Sequence, residues 1–131
     1  MNWKRIWTGG LLAGMVLFLV NGGLQAGVLI YRGGEALNLT VLGLWVLPSF
    51  IEGIILSGLY ALARPRLGPG PKTALLMGSV IALLLSASLI GNFSAWIASP
   101  FTIFGHLFFM WLKYVAATYL AGWQYIEKAP S

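Results

Sequence analysis

Arg64-Pro-Arg-Leu-Gly-Pro-Gly-Pro-Lys72 sits at the midpoint of the chain and is its only polar, turn-forming segment of any length. Pro65, Pro69 and Pro71 lack the amide that a helix needs, and each disfavours helical geometry in the residue before it. Gly68 and Gly70 add backbone freedom between them. Arg64, Arg66 and Lys72 set positive charge beside apolar runs, which marks a cytoplasmic loop in a membrane protein. The stretch therefore predicts a connection over 64–72 between two membrane hairpins. A phosphate cradle would need Gly-x-x-x-x-Gly-Lys-Ser/Thr after a strand. Here Lys72-Thr73 follows a proline and the glycine spacing is wrong.

Outward from this loop lie apolar runs over about 5–31, 39–63, 73–97 and 101–125. Each is long enough to cross ~30 Å of hydrocarbon at ~1.5 Å per residue. Lys4 and Arg5 precede the first run as they would in a signal peptide, but the run is too long for one. Leu24-Gln25-Ala26 is also a poor cleavage site, so the run reads as a span. The expected fold is an all-α integral membrane four-helix bundle, one transmembrane domain over 1–131. Lys4, Arg5, Arg64, Arg66, Lys72 and Lys128 fall on one side and Arg32 on the other, so both termini and the central loop are expected in the cytoplasm.

Composition supports this class. The chain has 131 residues, 59% hydrophobic and 8% charged, against ~25% charged in a soluble domain. The net charge of +5 reflects lysine and arginine gathered at one membrane face rather than a nucleic-acid stripe. The absence of cysteine excludes disulfides, thiol chemistry and thiolate metal sites, and a single histidine excludes a bis-histidine haem within one chain.

The two halves resemble each other at one constant offset. Leu11-Leu12-x-Gly14-x-Val16 matches Leu75-Leu76-x-Gly78-x-Val80, Gly27 matches Gly91 and Gly58 matches Gly122, which suggests a duplicated hairpin. Small residues recur at Gly10-x-x-x-Gly14, at Gly23-x-x-x-Gly27, along Ser49, Gly53 and Ser57, and along Gly78, Ala82 and Ser86. In lipid such ridges let helices approach closely, within the bundle or against another chain.

Glu52 and Lys113 are the sharpest chemical features. Both fall near the middle of a span, where charge is costly and usually paired. Counted from the starts of their spans, their depths agree within roughly 2 Å. A midplane ion pair is the plain expectation, and a titrating proton or cation site is the sharper one. Pro48, one turn before Glu52, removes a backbone bond and should kink the second span. Gln25, Asn92 and His106 share a depth of roughly 8–9 Å from the other membrane face. His106 stands among Phe101, Phe104, Phe108 and Phe109. Such an imidazole suits the magnesium of a pigment or a bond to a quinone, and the plainer alternative is an interhelical hydrogen bond to Gln25 or Asn92. Arg64, Arg66 and Lys72 would set topology and meet anionic lipid.

The run Tyr60-Ala-Leu-Ala-Arg64-Pro-Arg66-x-Gly68-Pro-Gly70-Pro-Lys72-Thr-Ala74 resembles a loop of small, uncharacterised four-span bacterial membrane proteins. The resemblance implies a bacterial inner membrane and the same topology, and it carries no activity. Small multidrug exporters are similar in size and span count, but their essential glutamate stands in the first span and Glu52 in the second.

With no catalytic constellation in the sequence, the expected function is non-enzymatic: an accessory or structural subunit of a larger inner-membrane complex, energy-transducing complexes included. The alternatives are a small proton- or cation-coupled transporter using Glu52 and a pigment- or quinone-binding subunit using His106. No cofactor is required except under that last reading. Expected partners are the bilayer and other membrane subunits or further copies of the chain, and not nucleic acid.

Overall fold

The computed structural model describes residues 2–31, 39–93 and 100–125. Within the helices it leaves the side chains of 24–26, 28–31, 39–42, 88–93 and 101–102 outside the description. The described residues form four helices and no strand: α1 (Trp3–Tyr31), α2 (Leu39–Leu67), α3 (Pro71–Phe93) and α4 (Pro100–Gln124). Three stretches, Trp3–Gly23, Gly43–Leu67 and Ile103–Gln124, are long and apolar enough to cross a membrane. The apolar stretch counted in α3, Pro71–Ala87, is shorter. Large apolar side chains such as Leu44, Leu47, Leu83, Leu84, Phe104 and Phe108 point outward, as lipid would require and water would not.

The central connection is tighter than the sequence suggests. Residues 64–67 remain helical and only 68–70 leave the helix. Pro65 lies in the last turn of α2, so the single bond it removes does not break a helix that ends two residues later. Gly68 takes a positive φ of 82°, and its N–H donates to the Arg64 carbonyl at 2.8 Å, closing α2 with a left-handed cap. Pro71 begins α3, where its fixed φ suits the first position and its missing donor costs nothing. The Thr73 hydroxyl donates to the Gly68 carbonyl at 2.6 Å, and the Gly70 N–H donates to the Tyr60 hydroxyl at 3.0 Å. The turn is thus tied to both helices that it joins.

Close backbone approach brings the helices together. A Cβ at Gly53 would collide with the Gly10 carbonyl oxygen and the Gly14 nitrogen, so α1 and α2 cross almost backbone to backbone. In the second hairpin a Cβ on Gly78 would lie 2.7 Å from the Val115 Cα. Gly14 and Gly78, the matched glycines of the two halves, therefore each sit at the close crossing of their own hairpin. Gly58 and Gly122 do not share a role: Gly58 meets no described atom within 4 Å, whereas Gly122 lies against the Tyr60 ring. Gly23 and Gly27 also meet nothing within 4 Å among the described residues, so that ridge is not used there.

Among the described residues α2 and α4 touch each other and both neighbours, while α1 and α3 do not meet. The core runs along this α2–α4 diagonal through Ala13, Leu17, Leu56, Ala82, Tyr114 and Ala117. A second cluster, Ile6, Tyr60, Ala61, Ala74 and Tyr125, closes the end that carries the central turn. Both described chain ends gather there, because the Asn2 N–H donates to the Tyr125 hydroxyl at 3.2 Å.

Gly53→Val should destabilise the protein by about 1–3 kcal/mol, the usual cost of overpacking, here against backbone that cannot turn aside. Gly58→Ala should be neutral or slightly stabilising, because its surroundings are open and alanine favours helix. Thermal unfolding in detergent checks both, and a Gly53→Val protein as stable as the parent would remove the close crossing.

Candidate functional site

The polar centre of the bundle is built from three helices. From α4, Lys113 Nζ donates to Asn21 Oδ1 on α1 at 2.9 Å. The next residue, Tyr114, donates its hydroxyl to Glu52 Oε2 on α2 at 3.0 Å. The Lys113 ammonium also lies 4.7 Å from the centroid of the Tyr114 ring, within cation–π range. The described network therefore runs Asn21, Lys113, Tyr114, Glu52. It crosses the core where Tyr114 is only 2% exposed, while Asn21, Glu52 and Lys113 are half-buried.

The expected direct contact between Glu52 and Lys113 is absent among the described residues, and each charge has a neutral partner instead. The reason is helical geometry. Successive residues on a helix point ~100° apart. Tyr114 takes the α4 face that looks into the core and toward α2, which leaves Lys113 to look toward α1. Tyr114 was not singled out in the sequence. Its signal was available: a tyrosine in mid-span, away from either interface, has a hydroxyl that must find a partner in the bundle.

Pro48 lies within a continuous α2, on a face where Leu44 and Ile51 are also exposed. The carbonyl it releases, that of Leu44, is thus not presented to the core. Ser49 and Ser57 are fully buried on the inner face of α2, and their hydroxyls have no hydrogen-bond partner among the described residues. They serve as small residues in the seam, Ser57 against Gly9 of α1.

His106 is half-buried on α4. Phe104 and Phe108 beside it are 72% and 63% exposed, so they line the outer surface rather than enclose the imidazole. The side chains of Gln25 and Asn92 lie outside the described residues. Among the described residues no cluster of three or more histidine, cysteine or acidic side chains is placed to hold a metal. A further tie not foreseen from sequence joins α3 to α4, where Trp111 Nε1 donates to the Ser79 hydroxyl at 2.8 Å.

At the central-turn end, the Arg64 guanidinium carbon lies 5.4 Å from the centroid of the Tyr125 ring. Tyr60 and Tyr125 meet edge to face, with centroids 6.4 Å apart. Arg66 and Lys72 are exposed and Arg64 is half-buried.

No protein-family model matches the chain, and neither a curated protein nor a solved structure does.

Removal of the Tyr114 hydroxyl should leave the Glu52 carboxylate without its donor. Tyr114→Phe should cost about 1–3 kcal/mol, the usual penalty for stranding a buried polar group. A double-mutant cycle with Glu52→Leu, which removes the acceptor, should return a coupling of at least ~0.5 kcal/mol, read from unfolding in detergent. Additive effects would mean that the two side chains do not interact.

Proposed function

We propose that the chain is a non-enzymatic four-span subunit of a larger membrane assembly. We place it in a bacterial inner membrane, with both termini and the central turn in the cytoplasm. The observation that carries the reading is the use made of the intramembrane polar groups. Lys113 binds Asn21 and Tyr114 binds Glu52, so groups that are expensive in hydrocarbon tie α1, α2 and α4 to one another. Such ties favour a rigid scaffold. The orientation is supported by Lys4, Arg5, Arg64, Arg66 and Lys72, which all belong to the end where the chain ends and the central turn meet. The resemblance of the central turn to those of small bacterial four-span proteins points to the same membrane.

Purification from native membranes in mild detergent tests the proposal. A stoichiometric membrane partner, released when the small-residue or aromatic surfaces are substituted, is the expected result. A lone monomer under conditions that preserve other complexes would count heavily against it.

One observation favours transport coupled to protons or cations as the second reading. Glu52 is held by a neutral phenol rather than by a lysine. Proton uptake by the carboxylate would therefore not strand a hydrogen-bonded cation, because Lys113 keeps Asn21. Under this reading the reconstituted protein carries a flux that Glu52→Gln abolishes. An undiminished flux in Glu52→Gln would rule the mechanism out, and no flux from the parent would leave the scaffold reading standing alone.

A further inference from the structure

Two cavities open side by side at the end of the bundle that carries the central turn. The smaller, about 200 Å³, is lined by Arg64, Tyr60, Tyr125, Gly70 and Trp123 among others. The larger, about 610 Å³, is a groove between α3 and α4 walled by Leu75, Leu112, Val115, Ala116 and Leu120, with Lys72 at its rim. Pro71, Ala74 and Tyr119 line both, so the two lie on either side of the same three residues.

We propose that together they form one site for an anionic phospholipid, with the phosphate headgroup in the smaller cavity and an acyl chain in the groove. The chemistry of the lining divides at the shared wall. The smaller cavity has the Arg64 guanidinium among the rings of Tyr60, Trp123 and Tyr125, and the larger is aliphatic apart from Lys72 and the shared Tyr119. The Arg64 guanidinium lies 5.4 Å from the Tyr125 ring centroid at the cavity wall with its Nη1 buried, so it serves a phosphate as a fixed positive charge rather than as a two-pronged fork. Lys72 is exposed and lines the larger groove next to Pro71, which both cavities share, and its long flexible stem can bring the ammonium to a bound phosphate.

The groove has the direction and openness that a lipid chain needs. From Leu120 to Leu112 it follows α4 for roughly 12 Å away from the turn, into the apolar middle of the bundle. Leu75, Leu112 and Tyr119 are each about half exposed, so a chain can enter sideways from the bilayer. Charge selects the occupant. The turn end carries Lys4, Arg5, Arg64, Arg66 and Lys72, and the sole acidic residue among the described ones is Glu52, deep in the bundle. A second copy docking by this face would bring like charges together, whereas an anionic headgroup neutralises them. Arg66, although part of the same basic turn, lines neither cavity and is assigned no role in the site.

The test uses the full chain in mild detergent. It is titrated separately with phosphatidylglycerol and with phosphatidylcholine of the same chains, and bound lipid is counted by native mass spectrometry. The expected result is one tightly held lipid with a preference for phosphatidylglycerol. Lys72→Gln and Arg64→Gln should each reduce that preference about fivefold, and Arg66→Gln, outside both cavities, should reduce it less. Ala116→Phe, which fills the groove at an exposed position, should reduce retention of both lipids. Arg64→Gln also removes a contact with Tyr125, so Lys72→Gln, at an exposed position, provides a readout independent of folding. Equal retention of the two lipids would overturn the proposal, as would an unchanged preference in Lys72→Gln and Arg64→Gln. Displacement of the lipid by glycerol phosphate at equal concentration would overturn the role of the groove. A lipid-free dimer that Ala116→Phe disrupts would assign the groove to a second copy of the chain.

Discussion

The approach of α1 and α2 at Gly10, Gly14 and Gly53 sets the frame in which everything else is placed. In an apolar medium helices gain nothing by hiding apolar side chains from one another, so association rests on close packing and on polar ties. Gly53 brings α2 onto the α1 backbone itself. At that separation, small residues on the same faces let α4 settle against both helices, with Gly9 beside the Ala121 carbonyl. Ala13, Ala117 and Ala121 are then fully buried without bulky side chains to hold the helices apart. The third helix joins through α4 and α2 and does not reach α1.

This frame decides which polar groups can meet. Tyr114 is pressed into the core, its hydroxyl bonded to Glu52 and its ring beside the Lys113 ammonium. This arrangement gives the carboxylate an O–H donor and the ammonium an amide oxygen, and the ring face takes part of the positive charge. A buried ion pair recovers only part of its own desolvation cost. Neutral partners on separate helices make the same two charges into ties between three helices rather than a link between two.

Helix existence was legible in the sequence because long apolar runs leave few other possibilities. Helix ends were less so. Pro65 looked like a terminator, but proline acts on the carbonyl one turn back, and in a last turn that loss is small. The glycines that make the crossings were visible as a repeat, yet nothing in the sequence separates Gly10 and Gly14, which are used, from Gly23 and Gly27, which meet nothing described. That difference depends on where α2 lies. Glu52 and Lys113 stood out from the cost of charge in an apolar run, and counting along their spans gave them one depth, but depth fixes only one coordinate. The angle around α4 that separates Lys113 from Tyr114 needed the packed bundle. The headgroup cavity was hidden for the same reason, because its walls come from α2, the turn, α3 and α4.

That cavity exists because hydroxyls, not rings, are anchored at the turn end. Tyr60 accepts the Gly70 amide and Tyr125 accepts the Asn2 amide, so each phenol oxygen is fixed to a different chain segment. With their tips held apart, the rings meet at 73° rather than stack. Two planes set at that angle leave a corner that neither fills. The residue best placed to fill it, Gly122, has no side chain, and a Cβ there would strike the Tyr60 ring at 2.7 Å. The corner therefore stays open under the Arg64 guanidinium. The same bonds that close the turn keep a cationic, aromatic pocket open at the turn end of the bundle.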